Sequence, residues 1–147
     1  MDGCSREWCS CHQTRQSRSR GTVLNNLICQ IQALFFTELD IGQRLATVLG
    51  LNDSATRYRN AMNQVKSAFL SRFWNDRDQD LYDHLNPDGS ANTQKRPNSI
   101  FAITVPLKDN PLIPADKAAL VFNSLIKNGL LANHGVRTLS PSDWQYR

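Results

Sequence analysis

The residues of this chain best placed to do chemistry lie in Arg96-Pro97-Asn98-Ser99-Ile100-Phe101-Ala102-Ile103-Thr104-Val105-Pro106, where a polar entrance leads into an apolar body. A guanidinium and a carboxamide on either side of a proline offer hydrogen bonds of restricted geometry. Pro97 drives Arg96 out of the helical region and suits a first helical turn, so a short helix is expected to begin there and to stop before Pro106. Ile100, Phe101, Ile103 and Thr104 leave it little polar face, which implies burial on most sides with the N-terminal end facing a cavity. A β-strand is the competing reading of the same stretch.

Three other groupings resemble sites and are weaker. Asp76, Asp78 and Asp80 have the spacing of the first ligands of a calcium loop, but Leu81 stands where glycine is required and Pro87 where glutamate is required. A solvated acidic turn closed by Asn86-Pro87-Asp88-Gly89 is expected instead. Cys4, Cys9, Cys11 and His12 could ligate zinc, yet no second Cys/His pair follows at finger spacing. Arg15-Gln16-Ser17-Arg18-Ser19-Arg20 could touch RNA phosphates, but carries few charges and no interleaved aromatic residue. Neither a metal nor an organic cofactor is expected, and a nucleic-acid partner is not favoured.

The elements that must position the Arg96 segment are helical. Residues 1–21 are rich in Arg, Ser, Gln and Cys, bury too little to order themselves, and read as a disordered basic arm or an aberrant N-terminus. From Thr22, Leu24, Leu27, Ile28, Ile31, Leu34, Phe35, Leu39, Leu45, Val48 and Leu49 recur at helical steps up to Gly50, which suits a C′ residue. Asn52, Asp53 and Ser54 offer caps for a second helix running to about Trp74, with Tyr58, Ala61, Met62, Val65, Ala68, Phe69 and Phe73 inward. A further helix begins near Pro114, turns Ala118, Leu120, Val121, Leu125 and Ile126 inward, and ends at Gly129. No alternating β pattern is present, so the expected class is all-α.

Length and composition fit one soluble domain: 147 residues, 40% apolar and 20% charged, with a net charge of +4. No apolar run reaches the roughly 18 residues of a membrane span, and the N-terminus lacks the apolar core of a signal peptide. The expected compartment is the cytoplasm, with the four cysteines as reduced thiols.

Five motifs in order then carry a family resemblance. Gln30-Ile31-Gln32-Ala33-Leu34-Phe35-Phe36, Phe73-Trp74, Leu81-Tyr82-Asp83, Arg96 to Ala102, and Gly135-Val136-Arg137-Thr138-Leu139-Ser140-Pro141 resemble the C-terminal, amylo-1,6-glucosidase domain of glycogen debranching enzymes. Gln30 stands where that family usually has glutamate. The resemblance runs over residues 29–147 and makes residues 22–147 a partial domain of the six-hairpin glycosidase type.

What the resemblance implies is an (α/α)6 toroid of the glucoamylase-like kind that hydrolyses α-1,6-glucosidic branch stubs in glycogen-like α-glucans. Such a toroid needs roughly 200 residues. The chain is therefore expected to be a fragment, with the remainder of the toroid missing, and to be inactive by itself. Inverting hydrolysis uses two carboxyl groups roughly 6.5–9.5 Å apart. The family's acid motif has its nearest match at Met1-Asp2-Gly3, at an unusual distance from the Gln30 helix, and its base would lie beyond Arg147. No catalytic residue is assigned.

Sugar-orienting residues remain: Gln32, Arg96, Asn98, Arg137 and Asp143, with Phe35, Phe36 or Trp144 able to lie against a pyranose face. Each has a structural alternative. Arg96 could pair with Asp83 or Asp88, Phe35 could belong to the core, and His134 could be merely solvated. A non-catalytic helical interaction module with an Arg/Ser arm is the alternative function.

Overall fold

A computed structural model describes residues 27–147. Asp2, the Cys4, Cys9, Cys11 and His12 set, the Arg/Ser arm and the Thr22 helix start lie outside the described residues. Two long helices, α1 (Cys29–Val48) and α2 (Asn52–Phe73), pack along one another. A 3-10 turn (Pro97–Ile100) runs directly into the one-turn α3 (Phe101–Thr104), and both lie against α1. The last helix, α4 (Ala115–Lys127), packs on the 3-10 turn and on the loop that follows α2.

Glycine stops two of these helices by one mechanism. Gly50 and Gly129 adopt φ +72° and +64°, and each lets the next amide reach back to the helix. Leu51 N–H reaches the Ala46 carbonyl at 2.8 Å with Gly50 N–H on Thr47, and Leu130 N–H reaches Leu125 at 3.0 Å with Gly129 N–H on Ile126. This paired pattern satisfies carbonyls that a helix end otherwise leaves bare. The expected side-chain cap of α2 does not form: Leu51 occupies the cap position, and Asn52, Asp53 and Ser54 fall inside the first turn. Asp53 there faces the positive end of the helix dipole.

The core takes Cys29, Ala33, Phe36 and Leu39 from α1, Val65, Phe69 and Phe73 from α2, and Ala102, Leu112, Ile113 and Val121 from the later segments. Phe69 and Phe73 stack at 5.1 Å between centroids. Asp40, 2% exposed, is buried beside this core. It accepts from Arg44 Nε at 2.9 Å and from Asn110 Nδ2 at 3.1 Å. Arg44 also reaches Asp109 at 2.8 Å, so the loop before α4 is fastened onto α1.

Helical structure dominates, but the all-α expectation needs amending. Three antiparallel ladders of two residues each stitch the loops: β1 (Leu27–Ile28) with β4 (His84–Leu85), β2 (Trp74–Asn75) with β3 (Asp80–Leu81), and β5 (Leu131–Ala132) with β6 (Gly135–Val136). Two residues cannot display a period of two, which is why the sequence hides them. Ile28 is accordingly extended, at φ −97° and ψ 125°, and α1 starts only at Cys29. The Arg96 segment is helical, as its prolines require, and the strand alternative is excluded.

Three burial expectations are also corrected. Leu120 and Ile126 of α4 point outward, and Ile31, Leu34, Leu45 and Val48 of α1 and the following Leu49 are exposed while the face through Ala33, Phe36 and Asp40 is buried. α1 is apolar nearly all round, so periodicity alone does not select the packed side. The acidic loop is not uniformly solvated either, since Asp80 and Asp83 are buried. The Asn86 to Gly89 turn does form, with Gly89 N–H on the Asn86 carbonyl at 2.9 Å.

Truncating the two kinds of α1–α2 position should separate them. Phe73→Ala, 1% exposed in the wild type, should cost about 3–5 kcal/mol. Leu45→Ala, on the open stripe, should stay within about 0.5 kcal/mol. Urea unfolding followed by circular dichroism measures both, and similar costs would contradict the assignment of faces.

Candidate functional site

The loop between α2 and the 3-10 turn folds back so that its acidic residues point inward. Tyr82 N–H bonds the Phe73 carbonyl at 2.8 Å, and Cys29 N–H, at the start of α1, bonds the Asp83 carbonyl at 3.0 Å. These two main-chain bonds turn Asp80 and Asp83 toward the interior. Asp80 then accepts from Ser124 Oγ of α4 at 2.6 Å, from its neighbour Leu81 N–H at 2.7 Å and from Lys95 Nζ at 3.3 Å. A buried carboxylate is tolerable only with such partners.

Asp83, 8% exposed, organises the entrance of the 3-10 turn. Its Oδ1 accepts from Asn98 Nδ2 at 2.7 Å, and its Oδ2 lies 2.9 Å from His84 Nδ1 and 4.0 Å from Arg96 Nε. Arg96 is extended, at φ −121° and ψ 157°, because Pro97 follows it. Its Nη2 donates to Gln94 Oε1 at 3.3 Å. Arg96 and Asn98 are thus brought together around one carboxylate, and Asn98 is held more closely than Arg96. Next to them Ser99 Oγ is the one buried side-chain polar atom without a partner among the described residues.

The other expected site residues are placed differently. Arg137 Nη1 donates to the carbonyls of Gly129 at 2.7 Å and Leu131 at 3.2 Å, so this guanidinium ties down the chain that leaves α4. Asp143 Oδ1 accepts from Gln145 N–H at 2.8 Å within a local turn. That turn is nonetheless joined to the extended segment before Pro97, through Ser140 N–H on the Lys95 carbonyl at 2.9 Å and Gln94 Nε2 on Gln145 Oε1 at 2.8 Å. Gln32 is half-buried on α1, one turn beyond Cys29. Of the aromatic candidates, Phe36 is fully buried and cannot meet a ligand, Phe35 packs half-buried on the core, and Trp144 is 87% exposed. His134 is exposed, on the loop between β5 and β6.

Asp80, Asp83, His84 and Lys95 are what sequence reasoning missed as a group. Asp83 appears there as the last residue of the Leu81-Tyr82-Asp83 motif and as a possible ion-pair partner of Arg96. The signal lay in the Leu81-Tyr82-Asp83 motif itself: an acid directly after two large hydrophobic residues is drawn inward with them. Electrostatics follow from the geometry. Lys95 Nζ sits 2.9 Å from Asp78 Oδ2 and holds that carboxyl below its ordinary range, chiefly through the hydrogen bond. Burial, reinforced by the charges of Asp83 and Asp80, pushes the Cys29 thiol far above its usual value. Among the described residues no group of three or more His, Cys, Asp or Glu side chains could hold a metal ion.

Hydrogen-bonding side chains are thus gathered around Asp83 at the entrance of the 3-10 turn that leads into α3. The chain belongs to the amylo-alpha-1,6-glucosidase family, whose model matches residues 19–147. No curated protein and no solved structure gives a significant match.

Two solution measurements check this electrostatic arrangement. With Cys4, Cys9 and Cys11 replaced by serine, the remaining Cys29 should react with a thiol reagent only as fast as the protein unfolds, and rapid labelling of native protein would contradict its burial. Asp78 has a lowered folded pKa, so its contribution to stability is present above the unfolded value of about 3.9 and disappears as pH falls through the folded value. The stability difference between wild type and Asp78→Asn should therefore shrink below about pH 4. A difference that is constant from neutral pH down to about pH 3 would show that Lys95 does not hold this carboxylate.

Proposed function

We propose that this chain supplies a saccharide-orienting face of an amylo-α-1,6-glucosidase site, part of an (α/α)6 toroid of the glucoamylase-like kind that acts on branch stubs of glycogen-like α-glucans. The observation that carries the reading is the pair Arg96 and Asn98, fixed beside a buried carboxylate at the mouth of a short helix, in a chain of that family. Sugar hydroxyls both donate and accept, and pre-set amide and guanidinium groups select among them at little entropic cost. Residues 140–145, joined to the segment before Pro97, bring Asp143 and the exposed Trp144 to the neighbourhood, and Trp144 is free to lie against a pyranose ring. Gln32 and Arg137 are proposed at its edge, the latter by its remaining guanidinium nitrogens.

Hydrolysis itself needs a protonated and an ionised carboxyl group on opposite sides of the glycosidic bond. The buried carboxylates Asp40, Asp80 and Asp83 each accept hydrogen bonds from neighbouring side chains and serve as structural acceptors. The described residues accordingly bind and orient, and the chain alone is proposed to be inactive. The open apolar stripe of α1 supports a larger assembly, because apolar surface of that extent is ordinarily covered. No helix among the described residues is long and apolar enough to cross a membrane, and the proposed place of action is the cytoplasm.

The purified 147-residue chain should release no glucose from a branched limit dextrin above a buffer blank. It should still bind isomaltose weakly. Arg96→Ala and Asn98→Ala should each weaken that binding at least about tenfold, about 1.4 kcal/mol, by calorimetric titration. Unchanged affinity in both folded variants would remove the proposal.

A further inference from the structure

His84 stands beside Arg96 and Asn98, and the reading above gives it no role. Its ring is about one-fifth exposed, with 19% of the side chain accessible, and Nδ1 lies 2.9 Å from Asp83 Oδ2. A carboxylate oxygen only accepts, so the ring hydrogen of a neutral imidazole here sits on Nδ1, and in that form Nε2 presents a lone pair. Among the described residues Nε2 has no hydrogen-bond partner. The same carboxylate sets the neighbouring amide: Asn98 Nδ2 is spent on Asp83, which leaves Asn98 Oδ1 as an acceptor with no partner among the described residues. Both side chains are half-buried, and neither open atom is sealed from solvent. Asp83 therefore holds two acceptors, His84 Nε2 and Asn98 Oδ1, next to one donor group, the Arg96 guanidinium, of which only Nη2 is bonded.

We propose that His84 is a further saccharide-binding residue, its Nε2 accepting a hydrogen bond from a sugar hydroxyl, and that Asp83 is the positioning residue that fixes both the imidazole tautomer and the Asn98 amide. The inference rests on the reading of Arg96 and Asn98 as saccharide ligands. Two acceptors beside one cationic donor suit a neutral polyol, whose hydroxyls can donate to the first two while accepting from the third. An anionic ligand would bring further acceptor atoms against His84 Nε2 and Asn98 Oδ1, which have no hydrogen to offer.

Long-range proton–nitrogen spectra of histidine-labelled full chain test this at about pH 8, above the usual imidazole value of about 6.5. The His84 signals are those lost in His84→Ala. Wild type should show the Nδ1–H tautomer, Asp83→Asn should convert it to a mixture, and saturating isomaltose should move the Nε2 resonance. His84→Ala should bind isomaltose at least tenfold more weakly. A ring hydrogen on Nε2 in the wild type overturns the inference whatever the variants do. Binding that survives His84→Ala with the Nε2 resonance unmoved overturns it too, and leaves Arg96 and Asn98 standing as ligands. Absence of isomaltose binding by wild type overturns both readings together.

Discussion

The structure depends most on two carboxylates buried in the loop between α2 and the 3-10 turn. Asp80 joins that loop to α4 through Ser124 and to the segment before Pro97 through Lys95, while Asp83 joins it to the 3-10 turn through Asn98. The Asp83 carbonyl adds the start of α1 through Cys29. Four segments distant in sequence are thus held by two acidic side chains and one peptide group. Such a device is asymmetric in energy. Removing one partner of a buried charge typically costs about 3–5 kcal/mol, although the intact pair itself adds little. The arrangement therefore specifies where these segments meet more than it strengthens the whole.

That geometry also explains how the proposed binding face can sit on irregular backbone. Arg96 is extended because a proline follows it, and Asn98 is one residue into the 3-10 turn that the same proline starts. Proline alone would fix only the main chain. Asp83 fixes a side chain as well, and so restricts which hydrogens and lone pairs face outward. The further fastening of residues 140–145 onto Gln94 and Lys95 keeps a second loop beside the first. Placed on three short segments, the face gains its rigidity from hydrogen bonds and not from helical structure.

Much of this was legible from particular residues. The steps of three and four in α1, α2 and α4 gave the helices, Gly50 and Gly129 gave their ends, and Pro97 and Pro106 bounded the short central helix. Orientation was less legible. Ile31, Leu34 and Leu45 stood on the same helical stripe as Leu39, whereas the buried Ala33 and Phe36 did not, Phe36 being read as a residue for a pyranose face; only packing against α2 shows which side is inward. The two-residue ladders left no pattern at all. At the proposed site, the types and spacing of Arg96 and Asn98 drew attention to two side chains that the structure gathers around Asp83. What could not be read was how Arg137 would be used, because its Nη1 partners are main-chain carbonyls of Gly129 and Leu131, which no side-chain pattern records. The same holds for Asp80, whose hydrophilic character predicts solvent until its donors are known.

The central claim is that Asp83 and Asn98 act as one unit in meeting a saccharide, and a double-mutant cycle on isomaltose affinity tests it most directly. Asp83→Asn, Asn98→Ala and the double variant would each be titrated calorimetrically after their folded state is confirmed by circular dichroism. If Asp83 works in part through Asn98, the double variant should lose less affinity than the sum of the two single losses, with a coupling energy within the usual range of about 0.5–3 kcal/mol, the remainder of the Asp83 effect passing through His84. Losses that simply add, or an affinity that neither substitution changes, would contradict the account.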